Sequence, residues 1–91
     1  MEIIIVGNNV KGICDAINKQ TGKGNRILVM TEKEKDRFDC ELDDVFFAPL
    51  TKVDLIDKKW KRIFYFSYLN RVRKGGHYMQ GVIEYDKLIQ I

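Results

Sequence analysis

Four consecutive β-branched residues, Ile3-Ile4-Ile5-Val6, stand near the start of the chain and end on Gly7. A run that is apolar at every position fits a strand covered on both faces, as a central strand of a parallel sheet is. It points to an α/β fold, because such a strand needs a layer above and a layer below. The next segment supplies one layer. Val10, Ile13, Cys14 and Ile17 recur at helical spacing, Asn8 or Asn9 stands where a cap belongs, and Thr21-Gly22-Lys23-Gly24 stops the pattern. Arg26 to Thr31, centred on Ile27-Leu28-Val29-Met30, repeats the buried-strand composition. A strand, helix, strand order of these lengths predicts a right-handed parallel crossover.

Beyond Thr31 the pattern weakens. Residues 32–44 are polar except for Phe38, Cys40 and Leu42, and read as a loop or a weak edge element. Val45-Phe46-Phe47-Ala48 makes a third short strand, closed by Pro49, which cannot donate to a ladder. From Thr51, the spacing of Val53, Ile56 and Trp60 predicts a short helix. Arg62 to Leu69 is dense in β-formers, Arg73-Lys74-Gly75-Gly76 reads as a turn, and His77 to Tyr85 resumes a strand composition, so the spacing predicts a C-terminal hairpin. Gly81 is read as a bulge, and residues 85–91 as a continuation of the last strand or a packed tail.

The segment Ile-Ile-Ile-Val-Gly-Asn-Asn-Val-Lys-Gly resembles the start of a Rossmann-type dinucleotide-binding domain, over residues 2–32 only. Gly7 and Gly12 match the first and third glycines of that motif, while Asn9 stands at the second, where a side chain obstructs the approach of a pyrophosphate. Glu32 follows the second strand about 20 residues on, where the resemblance implies an acid that binds a ribose hydroxyl. The resemblance implies a nucleotide as cofactor, held by Gly7, Asn8, Asn9, Gly12 and Glu32. It also implies a small Rossmann-like domain of two or three layers. A chain of 91 residues cannot hold the six-stranded double unit, so a complete oxidoreductase is excluded. The order of elements also suits a ferredoxin-like α+β domain as the alternative fold. The first strand carries no exposed ring of the kind that RNA-recognition motifs use for base stacking.

Length allows one domain, residues 1–91, with its own core. The hydrophobic fraction of 45% and charged fraction of 32% are those of a folded chain and not a disordered one. The start has no basic lead and no small-residue cleavage site, and no apolar stretch approaches the roughly 18 residues that span a bilayer. A soluble, cytoplasmic protein without a membrane partner is expected. Cys14 and Cys40 lack the spacing of zinc or redox motifs and read as free thiols.

The net charge of +3 is small, but its placement is uneven. Seven acids fall between Glu32 and Asp44, whereas the stretch that starts at Lys58 carries Lys58, Lys59, Lys61, Arg62, Arg71, Arg73 and Lys74 with no acid until Glu84. Strand alternation puts Arg62, Phe64, Phe66 and Tyr68 on one face and Ile63, Tyr65, Ser67 and Leu69 on the other. With rings on both faces, Phe64 and Phe66 are expected in the core. The expected contact residues are instead Arg71, Arg73, Lys74 and His77 around the turn, where cations suit a phosphate backbone or an acidic protein patch.

Catalytic constellations are not assembled by spacing. Ser67 and His77 have no reason to meet, Cys14 lies on the apolar side of its helix, and pairs such as Asp36 with Asp39 or Asp43 with Asp44 read as a solvated acidic loop. The leading expectation is therefore a small non-enzymatic binding module with a protein partner, able to form a homodimer through an exposed strand edge. Such a compact, Ile- and Lys-rich chain also resembles the small inhibitors that phages and mobile elements encode against host proteins. Nucleotide binding at the glycine turn and nucleic-acid binding through the basic hairpin are the alternatives.

Overall fold

The computed structural model describes residues 1–33, 37–38, 44–71 and 75–91. Among the described residues, seven strands and one α-helix follow in the order β1 (Glu2–Val6), α1 (Val10–Gln20), β2 (Arg26–Met30), β3 (Val45–Ala48), β4 (Ile56–Asp57), β5 (Arg62–Arg71), β6 (Gly75–Glu84) and β7 (Lys87–Gln90), with a 3-10 turn at Val53–Leu55. β1 pairs in parallel with β2 on one side and with β7 on the other, and β3 pairs in parallel with β2. Four parallel strands thus lie in the order β3-β2-β1-β7, with the β-branched run in the interior, as its composition requires.

The antiparallel part is built on β5. β6 pairs with it from Arg62↔Glu84 to Arg71↔Gly75, which uses one whole edge. Its other edge therefore takes both β4, at Ile56↔Ile63, and β3, at Phe47↔Asn70. Side-chain alternation divides the core into two clusters, one on each face of the parallel strands. Ile3, Ile5, Ile27, Val29, Val45 and Phe47 meet Ile13, Ala16 and Ile17 of α1. Ile4, Val6, Leu28, Met30 and Ala48 meet Ile56, Ile63 and Tyr85, so the base of the hairpin supplies the second covering layer. Phe38 is buried on the helix side, its ring centroid 5.0 Å from that of Phe47.

β1, α1, β2, β3 and the hairpin fall where the sequence places them, and Asn9 is the cap of α1. Five expectations are corrected. The ferredoxin-like alternative is overturned, since β1, β2 and β3 are mutually parallel and α1 is the only α-helix among the described residues. The segment from Thr51 forms the 3-10 turn and β4 instead of a helix, because Ile56 is drawn into the ladder opposite Ile63. Gly75 and Gly76 lie inside β6, paired with Arg71 and Asn70. Gly81 marks no bulge: the register passes through Tyr65↔Gly81 without an extra residue, and its φ of +128° explains the glycine. Residues 87–90 neither extend β6 nor form a tail but return to β1 as β7. No helix among the described residues is long and apolar enough to cross a membrane.

Candidate functional site

Two regions collect the residues that chemistry would single out: the glycine turn at the carboxyl end of β1, and the base of the β5-β6 hairpin.

At the turn, Gly7 N–H donates to the Met30 carbonyl at 3.1 Å, tying the end of β1 to the end of β2. The Asn9 side chain accepts from Gly12 N–H at 3.0 Å and satisfies one of the free donors of the first helical turn. The Asn8 Oδ1 accepts from the backbone N–H of Glu32 at 3.0 Å. The structure therefore brings Asn8 and Glu32 together, through the Glu32 backbone and with its side chain exposed. The two glycines are approached by the chain's own Ile91, whose N–H donates to the Val6 carbonyl at 2.8 Å. A Cβ on Gly7 would stand 2.6 Å from the Ile91 carbonyl oxygen, and a Cβ on Gly12 2.5 Å from Ile91 Cγ2. The close approach that a dinucleotide motif reserves for a pyrophosphate is here made by residue 91.

The hairpin base covers the face of the parallel strands opposite α1. Ile63 is fully buried, so Arg62 and Phe64 lie on the opposite face of the strand, where Phe64 is exposed and Arg62 is half-buried, its Nε buried without a hydrogen-bond partner among the described residues. Phe64, expected in the core, is 43% exposed, and Val82, directly opposite it in the ladder, is 49% exposed. The two form one exposed apolar cross-strand pair. Trp60, 61% exposed, stands just before β5, with Lys59 Nζ 5.4 Å and the Arg62 guanidinium carbon 5.8 Å from its ring centroid. Asp57 builds the turn that presents Trp60: its Oδ1 accepts from the N–H groups of Lys59 and Trp60, each at 3.1 Å. Lys58, Lys59 and Lys61 are exposed, and Lys58 Nζ donates to Gln90 Oε1 at 3.5 Å. Beneath this surface Tyr85 is buried; desolvation raises its hydroxyl above the usual value of 10.0, and the nearby Asp57 carboxylate raises it further.

The other expected contact residues are spread along the hairpin. Arg71 belongs to β5, in register with Phe46 and Gly75, and His77 belongs to β6, in register with Leu69. Arg73 and Lys74 lie outside the described residues, as do Cys40, Asp36, Asp39 and Asp43. Ser67 is in register with Met79, so Ser67 and His77 are not ladder partners. Cys14 is a half-buried free thiol packed against the helix-side cluster. No group of three or more metal-ligating side chains occurs among the described residues.

Sequence reasoning placed Trp60 on a short helix and within a basic and aromatic stretch, placed Phe64 in the core, and overlooked Val82 and Ile91. Comparison of the chain with protein-family models, with curated proteins and with solved structures returns no match, so the functional reading rests on the geometry alone.

Proposed function

We propose that this chain is a non-enzymatic binding module that holds a protein partner against the outside of its hairpin base. The observation that carries the reading is the exposed set Trp60, Phe64 and Val82, fringed by Lys59, Lys61 and Arg62. Large rings that stay outside a core of this size retain apolar area for burial by something else. Aromatic and Arg side chains at the centre of a patch are the usual energetic anchors of protein interfaces. The surrounding cations favour a partner with an apolar centre and an acidic rim.

A Rossmann-like reading of the parallel strands is supported by their order, in which the chain moves from β1 to β2 to β3 and then crosses to the far side of β1. Such sheets bind ligands beyond the carboxyl ends of the strands at that reversal, between β1 and β7. Ile91 fills the approach there, which favours internal packing over a nucleotide as the role of Gly7 and Gly12. Nucleic acid fits the cations less well than protein does, because both cations nearest Trp60 lie over the ring that a base would need for stacking.

The test is capture of a partner from lysate of the producing cell, followed by titration of that purified partner with the wild type, Trp60→Ala and Phe64→Ser. Loss of about 2 kcal/mol of binding, roughly thirtyfold, at unchanged melting temperature is expected. Equal affinity of all three proteins would overturn the reading. So would capture of nucleic acid alone, with an affinity that collapses as salt is raised.

A further inference from the structure

β7 ends the parallel sheet, and its outer edge is open among the described residues. Ile91 N–H points at β1, where it meets the Val6 carbonyl. Backbone groups alternate along a strand, so those of Ile89 and Lys87 also point at β1, and those of Leu88 and Gln90 point outward. Unmet donors and acceptors on a strand edge template a further strand. Beside this edge runs a groove on the helix side of the sheet, floored by Ala16 and the half-buried Ile89 and rimmed by Asp15, Lys19 and Lys87. β6 also has an outer edge, but Gly75, Gly76 and Gly81 make it a weaker template, Gly81 at a φ of +128° above all.

We propose that a second copy of the chain occupies this edge, its β7 running antiparallel to the first across a twofold axis normal to the sheet. Such an axis keeps both helices on the same side, so only residues of one face can stand opposite each other. With Ile89 opposite Ile89 of the second copy, both isoleucines enter the groove as a close pair without mutual hydrogen bonds. Leu88 then stands opposite Gln90 of the second copy, and the two exchange both of their outward backbone hydrogen bonds; symmetry repeats this, giving four bonds. Lys87 stands opposite Ile91, so no like charges oppose one another across the new ladder. The helix charges are self-complementary as well. Gly12 sits against Ile91, which places Ala16 about level with Ile89, and the rotation brings Asp15 of each copy toward Lys19 of the other. That charge pattern selects a second copy over a foreign strand.

Sedimentation equilibrium over a wide concentration range tests this with the wild type and Gln90→Pro. The outward N–H of Gln90 is lost in that variant while the pairing of Ile89 and Ile91 with β1 is kept. The expected result is a wild type of twice the mass of one chain and a Gln90→Pro protein of single mass with the same circular dichroism. Amide exchange gives a second readout that needs no variant: the Leu88 and Gln90 amides should slow by about tenfold or more between dilute and concentrated wild type. A wild-type monomer throughout, a dimer that persists in folded Gln90→Pro, or a dimer whose Leu88 and Gln90 amides exchange as fast as in the monomer overturns the proposal.

Discussion

The glycine turn and the hairpin base teach opposite lessons about reading function from residues. The turn carries a recognisable motif, yet its glycines face Ile91 of the same chain and its two asparagines are used to cap α1 and to tie down residue 32. The hairpin base carries no motif, yet it holds three exposed large apolar side chains among its cations. Glycine marks a close approach of backbone to something else; it does not say whether that something is a ligand or another part of the chain. An aromatic residue in a strand does not reveal which face has a neighbour.

The comparison is broken most directly on adjacent residues of β5. Ile63→Ala should lower stability by about 3 kcal/mol, because it empties a fully buried site between the hairpin and the sheet. Phe64→Ala should cost less than about 1 kcal/mol in folding, since nearly half of the ring is already in water. Chemical denaturation of both variants checks this; equal losses would mean that Phe64 is part of the core and that the proposed contact surface is not there.

The turn is probed next. Gly7→Ala drives a methyl group into the backbone of Ile91, 2.6 Å from its carbonyl oxygen and 3.0 Å from its Cβ, and should cost about 2–3 kcal/mol. Gly12→Ala meets only the Ile91 side chain, and the better helix propensity of Ala offsets part of the clash, so about 1–2 kcal/mol is expected. Adding Ile91→Ala should recover most of the Gly12→Ala loss and none of the Gly7→Ala loss. A double-mutant cycle on melting curves decides it; full additivity at Gly12 would show that the glycine serves something other than Ile91.

The smallest effect concerns pH. Tyr85 ionises above its ordinary value when folded, so its contribution is fully present below about pH 10 and is lost as the pH rises through the higher folded value. Ultraviolet titration of the wild type against Tyr85→Phe should assign to Tyr85 a step above the usual value of 10.0, and Asp57→Asn should move that step downward. A Tyr85 step indifferent to Asp57 would place the tyrosine farther from the turn that presents Trp60.

Legibility in the sequence followed the range of the interactions. β1, α1 and β2 were readable because burial on both faces, helical spacing and an asparagine cap each leave a local mark. Residues 56–57 were misread as helix, since a two-residue strand is defined by its partner Ile63 and has no period of its own. Asn9 was legible as a cap, whereas the bond from Glu32 N–H to Asn8 joins residues 24 apart and leaves no local mark.

By itself, then, the sequence determined that a strand covered on both faces, an amphipathic helix and a second such strand would open the chain, because each state is set by neighbours within a few residues. Tertiary structure alone decided that residues 87–90 return to the far side of β1, that Ile91 lies against the two glycines, and that Phe64 faces solvent. Those outcomes depend on which layer covers which face, and the covering groups lie tens of residues away along the chain.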